Sequence, residues 1–138
     1  VPTDVVREAA RYLNHVLFDI KHMDPEVHKK HTGMPNDLIL KNFQTLVTEF
    51  PGLPVTARTP VIPGFNDHGP DIKAICDFLK PFGHVKYEML PYHRLGTQKY
   101  TFLDRVPPMG DVTLDDKKFA ALQKIAAATL GDRVIIPR

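Results

Sequence analysis

Residues 16–33 read VLFDIKHMDPEVHKKHTG and place a short buried strand directly before a capped helix. The apolar run at the start of this stretch ends in charge, which is typical of a strand with polar residues only at its carboxyl end. Asp24 suits the N-cap of the following helix, a proline takes the first helical position, and Gly33 suits the stop. The stretch therefore predicts a strand over 16–21 and a helix over Pro25–Thr32.

Outward from this stretch, strand and helix patterns keep alternating. Apolar residues recur at helical spacing in the predicted helices, and short apolar runs bounded by proline and glycine mark the strands. The other predicted helices cover 3–14 with Thr3 as N-cap, the segment from an Asn36 or Asp37 cap to Phe50, 70–79, and the segment from a Thr113 and Asp116 capping box to Gly131. The other predicted strands cover 55–59, 85–90 and 134–136; 61–67 is predicted as a loop and 91–111 as mostly loop. Strands alternating with helices predict right-handed crossovers and a parallel sheet, an α/β fold.

The predicted element order is incomplete for a closed sheet. The chain opens on a helix with no strand before it, and three or four parallel strands leave a sheet edge and part of each face uncovered. The first residue is Val1 instead of an initiator methionine, which agrees with this interpretation. We therefore expect the chain, a single domain over 1–138, to be a piece of a larger α/β barrel.

Composition narrows the function classes. The 138 residues are 43% hydrophobic and 25% charged, close to the average of folded globular proteins. The net charge of +2 is too small to indicate a surface for nucleic acid. No apolar run approaches the roughly 20 residues that cross a bilayer. The single cysteine, Cys76, excludes an internal disulfide and a cysteine-rich metal site built from this chain alone. We expect a cytoplasmic protein without nucleic-acid or membrane partners.

Ionisable residues follow the first predicted strand at its carboxyl end, where parallel barrels carry their functional groups. Asp19 and Lys21 are two residues apart, so on a strand they point to the same side. An acid and an amine that project together suit a zwitterion, or a carboxylate with an accompanying cation. The alternative is a local ion pair at the rim of the sheet.

The next two strand ends offer one candidate each. Arg58 precedes a proline-rich turn and suits a carboxylate or phosphate; the alternative is a buried structural charge. His93 directly follows the third strand and suits stacking on a ligand or hydrogen bonding to it; the alternative is a loop histidine bonded to backbone. Because a barrel brings successive strand ends together, these side chains and those of Asp19 and Lys21 are predicted to converge.

Two other candidate sites, a histidine cluster and Cys76, are better explained without a functional role. His28 and His31 are three residues apart with His22 nearby, which suggests zinc, but no third ligand of matching geometry follows and the segment is rich in lysine. Cys76 falls on the apolar face of a predicted helix and is expected to be a small core residue. Signatures of dinucleotide-binding proteins, P-loop proteins and serine hydrolases are missing from the sequence.

Three blocks, FDIKHMDPEVHKKHTG, RTPVIPGFND and EMLPYHRLGTQKY, resemble consecutive blocks of the radical S-adenosylmethionine enzymes that activate glycyl radical enzymes, such as pyruvate formate-lyase. The resemblance implies the C-terminal half of a partial (β/α)6 barrel with parallel strands and flanking helices. It implies that Lys21, Arg58 and His93 bind S-adenosylmethionine and that Asp19 helps to hold a monovalent cation beside it. No catalytic residue is expected in this chain.

The family's reaction also needs residues that this chain lacks. A C-x3-C-x2-C loop binds three irons of a 4Fe-4S cluster in these enzymes, and we expect that loop upstream of Val1 in a full-length protein. The resemblance then implies cleavage of S-adenosylmethionine, hydrogen abstraction from a backbone glycine of a glycyl radical enzyme, and an electron donor such as flavodoxin or ferredoxin. The chain alone is expected to be inactive. The alternative is a non-catalytic subunit that completes a barrel or serves as a binding module.

Overall fold

A computed structural model describes residues 1–93, 97–106, 109–110 and 112–136. In the described ranges the helices are α1 Thr3–Ala10, α2 Pro25–Thr32, α3 Asp37–Glu49, α4 Gly69–Leu79, α5 Thr97–Phe102 and α6 Asp116–Leu130. The strands are β1 Val16–Asp19, β2 Val55–Val61, β3 Lys86–Pro91 and β4 Val134–Ile135, and a 3-10 turn, Gly131–Arg133, joins α6 to β4. All neighbouring strands are parallel and stand in the order β1-β2-β3-β4, which confirms the predicted α/β fold.

Helix α2 forms with the predicted bounds and caps. The Asp24 carboxylate accepts hydrogen bonds from the backbone N–H groups of Glu26 and Val27, at 2.8 and 3.0 Å. Gly33 ends the helix with φ of +84°, a left-handed conformation in which a side chain would be strained. These local signals set the bounds of the helix.

Three features of the predicted helices are wrong: the end of α1, its N-cap and the cap of α6. Helix α1 ends at Ala10 and not at residue 14, because the next backbone N–H groups bond three residues back and Leu13 stays 46% exposed. Pro2 occupies its N-cap position in place of Thr3. Helix α5 lies in the segment predicted as mostly loop. Helix α6 is capped by the Asp115 side chain, 2.7 Å from the Lys118 N–H, and not by a capping box from Thr113.

Strand β2 extends through Pro60 to Val61, beyond the predicted end at residue 59. The prediction assumed that the missing proline N–H would interrupt the ladder. On one side, Pro60 stands opposite Leu90 of β3. On the other side, the N–H of Ile20 donates to the carbonyl of Arg58 in the last backbone bond between β1 and β2. Pro60 therefore falls one step past the last backbone bond to the neighbouring strand, and its missing N–H leaves the earlier bonds of that ladder intact.

Helices α3, α4 and α6 cover one face of the sheet, and in the described part of the chain much of the other face, called the bare face below, is exposed. Side chains from alternate strand positions, such as Ala57 and Tyr87, are fully buried against residues of α3, α4 and α6. The intervening positions face the other way, where Leu17 is 54% exposed and Lys86 is also exposed. The prediction that part of each face is uncovered therefore differs from the structure, in which one face is packed against helices and the exposed positions lie on the other. The described part of the chain is therefore an open wall, with helices on one side and the bare face on the other.

No helix within the described ranges combines the length and the apolar character that crossing a bilayer requires.

Candidate functional site

One row of charged residues crosses the bare face of the sheet. Asp19 of β1 stands opposite Arg58 of β2, and Arg58 stands opposite Glu88 of β3. Register partners in a sheet project from the same face, so the three side chains line one side of the open wall. Asp19 is the last residue of β1, whereas β2 continues for three residues past Arg58. Arg58 was predicted at a strand end; it lies in the middle of β2, level with the end of β1.

Asp19 and Arg58 are in direct contact. Oδ1 of Asp19 accepts hydrogen bonds from Nε and Nη2 of Arg58, at 3.1 and 3.0 Å. The two side chains keep 37% and 28% of their surface exposed, so solvent still reaches the pair. Asp19 engages two of the five guanidinium donors, and the Nη1 group is not part of this contact. The pair can therefore hold the guanidinium in place while it binds an anion.

Lys21 lies two residues beyond Asp19, just past the end of β1, and is half-buried. Asp19 and Lys21 line an open cavity of about 430 Å³, together with Leu17 of β1 and side chains from α2 and α3 such as His28 and Ile39. The acid and the amine thus line the same cavity, although Phe18, between Leu17 and Asp19, lines it as well, so the same-side projection of Asp19 and Lys21 stays a prediction. Arg58 and His93 are not in the lining of this cavity.

His93 lies two residues beyond the end of β3 and is exposed. The parallel sheet puts it at the same carboxyl edge as the ends of β1 and β2, as predicted. Residues 94–96, which belong to the same sequence block, lie outside the described residues. The structure thus brings Asp19 and Arg58 into contact, sets Lys21 beside Asp19, and places His93 on the same edge without a contact to them.

The three histidines considered for zinc have separate contacts. A ring nitrogen of His28, a residue that is 3% exposed, lies 2.7 Å from the carbonyl of Met34. His22 and His31 both stack on the ring of Phe65, with centroid distances of 5.6 and 4.4 Å. Among the residues that the structure describes, no three His, Cys, Asp or Glu side chains are grouped to hold a metal ion. The zinc interpretation therefore has no geometric support.

An ion pair fastens the loop after β2 to α6. The Asp67 carboxylate accepts hydrogen bonds from Nζ of Lys118 and, at 3.0 Å, from the N–H of Gly64. Burial alone would raise the pKa of Asp67, but these hydrogen bonds and the charges of Lys118 and His68 together hold it below its ordinary value. Asp67 therefore stays ionised and secures this loop at the carboxyl edge of the sheet.

Cys76 is fully buried in the core between sheet and helices. Burial raises the pKa of its thiol to about 12, with a smaller contribution from the Asp77 charge. A protonated, inaccessible thiol is neither a nucleophile nor an iron ligand, which confirms the predicted core position.

Sequence reasoning missed four polar residues around the site. Glu88 alternates with apolar neighbours along β3. This alternation predicts the face of the sheet from which Glu88 projects, but it does not predict that Arg58 stands opposite it. Thr59, Asn66 and Asn36 are buried polar residues at the carboxyl edge of the sheet, with 0%, 0% and 2% exposure. Their side chains bind backbone carbonyls that are distant in sequence. No local sequence pattern reveals such partners.

Comparison with known proteins gives consistent relatives. The chain is 59% identical over 138 residues to the isethionate sulfite-lyase activating enzyme of Desulfovibrio desulfuricans, covering 100% of this chain and 44% of the relative. It is 45% identical over 115 residues to the (2S)-3-sulfopropanediol sulfolyase activating enzyme of Bilophila wadsworthia, covering 83% of this chain and 38% of the relative. It is 35% identical over 126 residues to the 4-hydroxyphenylacetate decarboxylase activating enzyme of Clostridioides difficile, covering 91% of this chain and 40% of the relative. The chain thus spans about two fifths of the length of these curated relatives.

A solved structure has the same fold. The chain superposes on a domain of pyruvate-formate lyase-activating enzyme from Bacteroides vulgatus with a TM-score of 0.75 and 26% identity, covering 98% of this chain and 74% of that chain. No protein-family model matches the chain.

Proposed function

This chain is a homologue of one part of the glycyl-radical-enzyme activating enzymes, and from that premise we propose that it forms part of the S-adenosylmethionine site of such an enzyme. We propose further that this part is the C-terminal half of the barrel. The observation that carries the proposal is the position of Asp19 at the end of β1, where it contacts Arg58 on the bare face and lines one cavity with Lys21. The inner surface at the carboxyl ends of strands is where barrels of this kind bind their ligands.

The residues present fit the amino-acid part of S-adenosylmethionine. Lys21 and Arg58 supply two cationic donors for its carboxylate, and Asp19 holds the guanidinium and offers an anionic oxygen to an accompanying cation. His93, exposed at the same edge, is proposed to orient the nucleoside part. When bound, S-adenosylmethionine would supply the deoxyadenosyl group that the family's reaction uses. The chain's own contribution is to bind and orient this cofactor before it reacts.

The residues present do not fit the iron-sulfur cluster of the family. Cys76 is the chain's single cysteine and is fully buried in the core. The proposal therefore assigns no cluster ligand to this chain. It assigns the cluster, and with it the radical step, to the rest of an assembled enzyme, and it predicts that the chain alone leaves S-adenosylmethionine intact.

The partner is proposed to be a glycyl radical enzyme of the isethionate sulfite-lyase kind. Identity to the isethionate sulfite-lyase activating enzyme of D. desulfuricans, 59%, exceeds the 35% to the decarboxylase activating enzyme of C. difficile. A pyruvate formate-lyase remains an alternative partner, as the structural similarity allows. A flavodoxin or ferredoxin as electron donor and a cytoplasmic location stay predictions.

The proposal is tested in a chimeric enzyme: the D. desulfuricans relative with this chain in place of its matching segment. S-adenosylmethionine affinity is measured by equilibrium dialysis for the parent chimera, for Lys21→Ala and for Lys86→Ala. Lys86 is the matched control. It is an exposed lysine at the start of β3 that projects from the same bare face, but it lies away from the carboxyl edge of the sheet. We expect about tenfold weaker binding for Lys21→Ala only. Equal affinity in all three proteins contradicts the proposal.

The gene sequence distinguishes this proposal from the alternative, a non-catalytic subunit that completes a barrel. The coding region upstream of Val1 is read for an in-frame cysteine triad. A triad supports the enzyme, whereas a genuine start codon without one supports the subunit.

A further inference from the structure

Side-chain hydrogen bonds hold the backbone that directly follows β1. Four consecutive carbonyls, of Ile20, Lys21, His22 and Met23, each accept a hydrogen bond from a buried side chain outside the segment. This segment follows the last strand residue and carries Lys21 of the proposed site. Its carbonyls are therefore bound as fully as those of a strand, although it belongs to no ladder.

The first donor replaces a ladder bond that proline cannot make. After Ile20 donates to the carbonyl of Arg58, the parallel pattern would continue with the N–H of residue 60 donating to the carbonyl of Ile20. Pro60 has no N–H. Instead Oγ1 of Thr59, which is fully buried, donates to that carbonyl at 2.7 Å. The ladder thus ends in a side-chain bond that keeps Ile20 in register while the next residue turns away.

The second donor, Asn66, uses both ends of its amide. Nδ2 donates to the carbonyl of Lys21 at 2.7 Å and to that of Pro60 at 3.0 Å, while Oδ1 accepts from the N–H of Ile62 at 2.7 Å. The residue is fully buried. Asn66 therefore clamps the backbone of Lys21 to the end of β2 from the loop that follows β2.

The third donor, Asn36, holds the residues beyond. Its Nδ2 donates to the carbonyls of His22 at 2.8 Å and Met23 at 3.0 Å. Asn36 occupies the N-cap position of α3, yet its side chain makes no capping bond. The amide is thus committed to the segment after β1 instead of the helix that it precedes.

We propose that Asn66, assisted by Thr59, is a positioning residue for S-adenosylmethionine binding because it fixes the main chain from which Lys21 reaches the cofactor. This inference rests on the proposed function. Lys21 stands outside regular secondary structure, so the direction of its long side chain depends on these bonds. A binding group must be held close to its productive position, and a displacement of about 1 Å can cost about a hundredfold in function.

The test uses Asn66→Asp in the chimeric enzyme. The substitution keeps shape and the acceptor for Ile62, but it turns an oxygen toward the carbonyls of Lys21 and Pro60 in place of the donor. The matched control is Asn42→Asp, since Asn42 is also buried and its Nδ2 donates to one backbone carbonyl, that of Val1, away from the site. Circular dichroism confirms that each variant is folded. We expect about tenfold weaker S-adenosylmethionine binding for Asn66→Asp and unchanged binding for Asn42→Asp.

A double-mutant cycle with Lys21→Ala separates positioning from general damage. If Asn66 acts through Lys21, Asn66→Asp has little further effect on affinity once the lysine is gone. An undiminished effect in that background, or parent affinity in the single variant, overturns the inference. If Asn66→Asp does not fold, Thr59→Val, which removes the donor to Ile20, is carried through the same cycle with the same expected and contrary results. A parent chimera that fails to bind S-adenosylmethionine contradicts the proposed function instead.

Discussion

The contact between Asp19 and Arg58 allows a sharp test of whether the charged row is built to bind a ligand or to hold the fold together. At 3.0 Å, two unit charges attract by about 1.4 kcal/mol at a dielectric constant of about 80 and about 5.5 kcal/mol at about 20. The side chains keep 37% and 28% of their surface exposed, so the attraction is closer to the lower of these two energies. Ordering two long side chains costs part of this attraction. We therefore expect a net coupling of about 1 kcal/mol.

The assay is a double-mutant cycle of Asp19→Ala and Arg58→Ala, followed by urea unfolding of the purified chain at neutral pH and moderate salt. A reference cycle on Arg7 and Glu49, a bidentate surface pair between α1 and α3, is expected to give a similar coupling, because its shorter bonds offset its greater exposure. Coupling of about 3 kcal/mol or more would mean that Asp19 and Arg58 form a buried structural pair. That result would refute the exposure argument and weaken the binding role.

Three further predictions concern the rest of the chain. At pH values above the ordinary Asp pKa of about 3.9, Asp67→Asn lowers the free energy of unfolding by about 1 to 3 kcal/mol. This loss shrinks at lower pH, because the pKa of Asp67 is lowered in the folded chain and the side chain stabilises the fold only while it is ionised. Urea unfolding across pH measures the loss, and a loss that does not depend on pH contradicts the prediction. Cys76 resists a thiol reagent in the native chain and reacts in urea, since its pKa is about 12 and it is buried; fast native labelling would show an accessible thiol. The isolated chain self-associates through its bare sheet face, and Leu17→Glu reduces this in sedimentation velocity; a monomer at all concentrations would contradict the exposed-face argument.

Local chemistry explains where sequence reasoning succeeded. The Asp24 cap and the Gly33 stop act within one helical turn, so the bounds of α2 follow from neighbouring residues. Asp19 and Lys21, two residues apart, line the same cavity at the end of β1. Segments without such signals were predicted less well. The end of α1 was placed four residues too late, and α5 was missed.

Long-range contacts explain where it failed. Pro60 indicates the end of a strand when only its missing N–H is considered, but β2 continues because the neighbouring strand stops first and Thr59 supplies the next donor. Asn66 is an unremarkable loop residue in the sequence. Its role depends on two carbonyls, of which that of Lys21 is 45 residues away.

The sequence by itself determined the alternation of strands and helices, the parallel α/β class and the carboxyl-edge positions of Asp19, Lys21 and His93. Periodicity and capping act over a few residues, so they can be read along the chain. Only the tertiary structure decided which strand residues stand opposite each other, that α3, α4 and α6 cover one face, and which buried amides hold the backbone beyond β1. Register and hydrogen bonding between distant segments arise from packing in three dimensions, and no local pattern encodes them.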